Sequence, residues 1–227
     1  MADACDLAAQ AHAIVAGCRR LAADGLVVGT AGNVSLRRGD LVAVTATGAR
    51  FDSLSEAEVV LVDLRGRLVA GTLEPTSELE LHLGIHASRG DGAVVHTHAP
   101  MSTAVACTLD ELPVIHYQLL QLGGVVRVVP YSTFGTGTLA EGVRAALEGR
   151  SAALLSNHGA VTTGADLDAA VEATRLLEWG CSLMVHASAL GTPRVLDGEQ
   201  QLAVVEAALA RGYGITHPAR PAHQEER

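Results

Sequence analysis

Two imidazoles separated by one threonine, in Ala93-Val-Val-His-Thr-His98, are the residues of this chain best placed to do chemistry. The small and branched apolar residues before them, behind the turn signal Asp91-Gly92, predict a short buried strand from Ala93 to His98. Side chains alternate along a strand, so His96 and His98 point to one face. Two imidazoles on one face can hold a metal ion, and Zn²⁺ accepts imidazole nitrogen readily. A lone histidine at a strand end is usually just a satisfied polar side chain. A His-X-His pair with a third histidine in a later Gly-flanked turn, Asn157-His158-Gly159, favours the metal.

A carboxylate and several loops are candidates to work beside that ion. Glu78 opens a predicted helix after Pro75-Thr76-Ser77, where a carboxylate is often only a capping or dipole partner. His82 and His86 follow at four and eight residues, on the same helix face. They form a rival metal site, disfavoured because no H-E-x-x-H order is present. Gly29-Thr-Ala-Gly-Asn33, Thr47-Gly48 and Thr76-Ser77 supply hydroxyls and backbone N–H groups of the kind that cradle a phosphate. Each alone is a weak signal, since Gly-rich turns are mostly just turns.

The elements that must position these residues follow from the apolar pattern. A helix is expected over residues 3–23, stopped by Asp24-Gly25. A hairpin turns at 38–40, a second turns at 65–66, and a helix runs from about 78 to 88. The histidine strand leads to a helix near Pro100, where proline suits the first turn. Residues 112–124 fit no single pattern. A strand over 125–129, a helix over 137–148, a strand over 152–155 and a long helix from Asp166 to about Leu190 come next, with Asp166 as its cap. A last helix covers 199–210. There is no G-x-G-x-x-G after a strand, so a dinucleotide-binding reading has no support. One α/β domain is expected over 1–216, with a loose polar tail over 217–227.

The totals set bounds on function. The 227 residues suffice for one sizeable core. The formal net charge of −9 argues against a sequence-independent nucleic-acid surface. No stretch is long and apolar enough to span a bilayer. The start lacks a basic leader, and the cysteines Cys5, Cys18, Cys107 and Cys181 show no C-x-x-C spacing, which suits reduced thiols in the cytoplasm.

Five segments, Pro75-Thr-Ser-Glu78, Val95-His-Thr-His98, Ile115-His-Tyr117, Pro130-Tyr-Ser-Thr-Phe-Gly135 and Asn157-His-Gly159, resemble the class II (zinc-dependent) sugar-phosphate aldolases. This family contains L-fuculose-1-phosphate aldolase, to which the resemblance is nearest, and L-ribulose-5-phosphate 4-epimerase. It extends from Gly29 to Tyr213-Gly214. It implies an α/β/α sandwich around a largely antiparallel sheet, and a homo-oligomer, usually a tetramer, with active sites at subunit interfaces. It implies one Zn²⁺ on His96, His98 and His158, with Glu78 as general acid/base beside it. Thr30, Asn33, Thr47, Gly48, Thr76 and Ser77 match the phosphate pocket. Tyr117 matches a proton donor supplied by a neighbouring subunit, and Phe134 and Tyr213 match residues lining the aldehyde end.

The chemistry implied is a reversible retro-aldol cleavage of a ketose 1-phosphate into dihydroxyacetone phosphate and an aldehyde. A cation at the three histidines stabilises the enediolate charge. Desolvation is expected to raise the Glu78 pKa into a useful range. Glu78 and the Ile-His-Tyr segment favour aldolase over the 4-epimerases, which typically carry Asp and lack that segment. A methylthioribulose-1-phosphate dehydratase shares the same site. Adaptor-fused members that have lost metal ligands are disfavoured by the retained histidines. The aldehyde is left open among fuculose, rhamnulose, ribulose, 5-deoxyribulose and 5-methylthioribulose 1-phosphates.

Overall fold

The computed structural model describes residues 4–90 and 92–214, with side chains from residue 8 onward. Asp91 of the expected turn and the 217–227 tail lie outside the described residues. The chain divides into two compact units, Met1–Val195 and Leu196–Arg227. The second unit contains helix α6 (Gly198–Arg211), opened by a reciprocal Asp197–Gln200 capping box and closed by Gly212 at φ 58°.

The first unit is a nine-stranded sheet flanked by helices. In chain order its strands are β1 (Gly32–Arg38), β2 (Leu41–Thr45), β3 (Val59–Asp63), β4 (Leu68–Ala70), β5 (Gly92–Thr97), β6 (Glu111–Leu112), β7 (Val126–Val129), β8 (Ala152–Leu155) and β9 (Gly159–Gly164). Across the sheet they run β4-β3-β2-β1-β5-β9-β8-β7-β6. Every pairing is antiparallel except β7 with β8. The helices are α1 (Ala4–Ala23), α2 (Leu79–Arg89), α3 (Pro100–Ala106), α4 (Gly137–Ala146) and α5 (Leu167–Leu190). The expected mixed α/β architecture with helices on both faces is therefore present. Asp166 caps α5 through Ala169 N–H, as its position before the apolar run implies. Residues 112–124, which fit no pattern, resolve into the short β6 and a 3₁₀ helix over Tyr117–Leu122. Short, mixed pieces leave no sustained period to read.

Strand alternation sorts residues between the two faces. Val34, Leu36, Ala93 and Val95 pack with Ile14, Leu21 and Val171 of α1 and α5. On the other face Val94, Val161 and Leu155 pack with Leu81 and Ile85 of α2 and Leu139 and Val143 of α4. Val42, Val44, Val60 and Val62 extend this second core beneath Leu79 and Leu83. Side chains on β1 and β5 that share the phase of Val94 therefore face α2. Asn33, Ser35 and His96 are in that phase, and Asn33 is paired directly opposite His96.

Candidate active site

Three separate pieces of chain bring four side chains together at one end of β5. His96 is the fifth residue of β5, and His98 lies just beyond it. The α3 start that follows is fixed by Glu178 of α5, whose carboxylate accepts from Met101 and Ser102 N–H, both at 2.8 Å. His158 sits in the β8–β9 turn, where Asn157 adopts φ 55° and His158 N–H donates to the Leu155 carbonyl at 3.1 Å. Among the described residues Asn157 is the one non-glycine with positive φ, a conformation asparagine tolerates better than most. Glu78 arrives from the N-terminal end of α2. Its side chain makes no capping bond to the helix. The carboxylate turns into the site instead, so the capping role does not describe it.

The three imidazoles close on one point. Their ring centroids are 4.8 Å apart in every pair. One ligand nitrogen from each lies within 4.8 Å of the other two. His96 Nδ1 is 3.0 Å from the Ala160 carbonyl, so it carries the hydrogen and leaves the Nε2 lone pair facing inward. That Nε2 is 3.0 Å from His98 Nε2 and 3.1 Å from Glu78 Oε2. Glu78 Oε1 is 3.5 Å from His158 Nε2 and, though buried, has no hydrogen-bond partner. Lone pairs and a carboxylate converging in a buried place fit a positive ion among them. The residues present therefore suit a metal held by His96, His98 and His158 with Glu78 beside it.

Electrostatics agree with that use. Burial, followed by neighbouring His96 and His158, pushes His98 down to about 4 despite the Glu78 charge. Burial and then His96 lower His158 as well. Both rings are neutral at pH 7 and able to ligate. Glu78 runs against the sequence expectation. Burial raises its pKa, but the hydrogen bond and charge that His96 offers when protonated, the Asn33 amide and the charge of a protonated His158 outweigh that, and a cation held by the neutral rings would supply the same positive charge. The carboxyl is held well below the usual carboxylate range. Desolvation counts only until an opposite charge and a donor reach the group, and Glu78 is set up as an anion.

Glu78, His98 and His158 line a cleft of about 450 Å³. Thr30, Asn33, Thr47, Gly48, Thr76, Ser77 and Phe134 line it too. Backbone bonds join the two later loops: Thr47 N–H donates to the Glu74 carbonyl at 2.9 Å and Thr76 N–H to the Thr45 carbonyl at 3.1 Å. The Val28–Ala31 bridge forms the tight turn that presents Thr30. His96 is fully buried beneath the cleft. Tyr117 is not among the residues lining its own chain's cleft; it stacks on His116 at 4.5 Å. Tyr213 belongs to the second unit. Sequence reasoning did not single out Tyr131, Ser132 or Asn157, which also line the cleft. Their signal was adjacency, since each stands beside or within a segment already noticed. The rival pair, His82 and His86, does not converge on an open site, because both rings hydrogen-bond Ser35 Oγ.

Comparison with known proteins gives this geometry its family. Residues 12–185 match the model described as "Class II Aldolase and Adducin N-terminal domain". The 5-methylthioribulose-1-phosphate/5-deoxyribulose-1-phosphate aldolase of Rhodospirillum rubrum is 37% identical over 219 residues, covering 93% of this chain and 96% of that protein. An L-fuculose phosphate aldolase of Escherichia coli is 37% identical over 197 residues, covering 86% and 91%. A solved structure of L-fuculose 1-phosphate aldolase superposes with a TM-score of 0.83 at 32% identity, covering 91% of this chain and 97% of that one. The family match runs through the segments bearing Glu78 and all three histidines, and the named relatives align along nearly their whole length, so the chain belongs to the class II aldolase and adducin N-terminal domain family and is an aldolase within it.

Proposed function

We propose that the protein reversibly cleaves a ketose 1-phosphate into dihydroxyacetone phosphate and an aldehyde. The observation that carries this reading is one cleft shared by the hydroxyl-rich loops, the Glu78 carboxylate and the histidine trio. Thr30, Asn33, Thr47, Gly48, Thr76 and Ser77 bind the phosphate through hydroxyl, amide and backbone donors. That anchoring sets the C3–C4 bond beside Glu78. In cleavage the C4 hydroxyl loses its proton, the C3–C4 electron pair stays on C3 as an enediolate, and C3 then takes up a proton. Glu78, ionised and buried, moves the proton at this centre. A divalent ion on His96, His98 and His158, which we take to be zinc, supplies Lewis acidity for the enediolate charge when bound. In the reverse, condensing direction Tyr117 from a neighbouring subunit donates a proton to the aldehyde oxygen, taking it back from the C4 hydroxyl in cleavage, and Phe134 lines that end.

Two substrate readings stand level. One is L-fuculose 1-phosphate, supported by the Escherichia coli relative and the solved structure. The other is 5-methylthioribulose or 5-deoxyribulose 1-phosphate, supported by the Rhodospirillum rubrum relative. The same reading takes residues 1–216 as one catalytic domain, working as a cytoplasmic homo-oligomer without nucleic acid or membrane. The net charge of −9 supports the part of it that sets nucleic acid aside, and among the described residues no helix is long and apolar enough to cross a membrane. The test is release of dihydroxyacetone phosphate from a panel of these ketose 1-phosphates, with metal content measured alongside. Cleavage of one panel member, lost on chelation and restored by zinc, is the expected result. An absence of dihydroxyacetone phosphate from every member would sink the proposal.

A further inference from the structure

We propose that His82, locked by Ser35 and His86, is a positioning residue that fixes the Asn33 amide and through it the Glu78 carboxylate. This rests on the reading of Glu78 as the acid/base group. The residues form a buried ladder between β1 and α2. Asn33 and Ser35 are two apart on β1, a step of about 6.6–6.8 Å. Glu78, His82 and His86 are four apart along α2, a step of about 6.0 Å. The two periods nearly match, so each strand side chain meets a helix side chain in turn. Asn33 Nδ2 donates to Glu78 Oε2 at 2.9 Å. His82 Nε2 is 2.5 Å from Asn33 Oδ1, and His82 Nδ1 is 2.6 Å from Ser35 Oγ. Ser35 Oγ is also 2.8 Å from His86 Nε2.

The polarity of the whole ladder follows from its charged end. A carboxylate only accepts, so Asn33 must turn its NH₂ to Glu78 and its carbonyl oxygen to His82. His82 Nε2 must then carry a hydrogen. Burial, followed by His86 and His96, pushes His82 down to about 3, so the ring is neutral and Nδ1 is an acceptor. Ser35 therefore donates its hydroxyl hydrogen to Nδ1 and accepts from His86 Nε2–H. Every bond points toward Glu78. Reversing any link would set the Asn33 oxygen against the carboxylate, two acceptors face to face in a dry place. An amide has no proton to pass on, so the ladder transmits orientation rather than protons. Asn33 also lines the cleft, so it ties the phosphate loop to the acid/base group.

The test combines kinetics and spectroscopy on the metal-loaded enzyme. His82→Phe removes the donor and should lower kcat by roughly 10–100-fold, with metal content near wild type. His82→Gln, whose amide can donate where Nε2 did, should recover most of that loss, which restored packing alone would not predict. In a Glu78→Gln background, His82→Phe should cost nothing further, because it acts through Glu78. Wild-type kcat in His82→Phe, equal losses in the Phe and Gln variants, or multiplying losses in the double variant would each overturn the ladder. Wild-type kcat in Glu78→Gln would instead overturn the acid/base reading. Should the Phe variant not fold, ¹⁵N NMR of wild-type protein decides. A neutral His82 protonated at Nε2 supports the ladder, and protonation at Nδ1 or tautomer averaging refutes it.

Discussion

At the scale of single residues, the position of Glu78 separates chemistry from structure. Its carboxylate leaves the helix N–H groups alone and accepts from Asn33 while facing His96. Glu78→Gln keeps the shape and an acceptor for Asn33 but has no base. Its kcat should fall about 10²–10⁴-fold with zinc content and melting temperature near wild type. A capping role predicts the reverse, a stability loss of about 0.3–1 kcal/mol with kcat intact. His82 gives a second prediction, in stability. Its folded pKa, about 3, is below the ordinary value of about 6.5. Between those values the unfolded chain holds a proton that the native state does not, so stability is complete above about pH 6.5 and is lost as pH falls toward 3. Denaturant unfolding of metal-free protein should show this slope, and His82→Gln, which does not titrate, should flatten it. An unchanged slope would mean that His82 is not held neutral.

At the scale of elements, the site depends on the close approach of β5 and the β8–β9 turn. A Cβ on Gly159 would collide with the Thr97 carbonyl oxygen and lie 2.9 Å from His98 Cδ2. Gly159→Ala must therefore push His98 away or part the strands carrying the histidines. Overpacking of this kind costs about 1–3 kcal/mol. Metal stoichiometry should fall well below that of wild type together with the melting temperature. A Gly159→Ala protein with full zinc and full activity would show that these strands have slack which the structure does not suggest. The loops after β2 and before α2 are less exposed to such damage, because Thr47 and Thr76 are tied by backbone hydrogen bonds rather than by side chains.

At the scale of the whole molecule, Tyr117 bears on assembly. It is outside its own chain's cleft and part of a cluster with His116, which packs edge-on to Trp179 at 4.8 Å. We propose that its hydroxyl serves a neighbour's site, so activity requires an oligomer. Tyr117→Phe and Glu78→Gln homo-oligomers should each be impaired. Mixed and reassembled, they should regain a share of wild-type activity, since some interfaces then pair an intact Glu78 with an intact Tyr117. No recovery in mixed oligomers, or full activity in a monomer by sedimentation, would remove Tyr117 from the mechanism.

Much of this was legible in the chain itself. Period-two alternation placed His96 and His98 on one face, apolar periodicity located the long helices, and turn residues marked the hairpins. The motif segments pointed to the family before any contact was known. What the sequence could not express was who meets whom across the sheet. The pKa of Glu78 was expected to rise, because burial is readable locally, but it falls because His96 and Asn33 come from other strands. His82 and His86 offered only a helix-face spacing, which disfavoured a metal there without saying what the rings would meet instead. Whether that face met an ion or Ser35 depended on the registration of α2 against β1. That registration is a product of the packed Val, Leu and Ile side chains between them, and no local pattern encodes it.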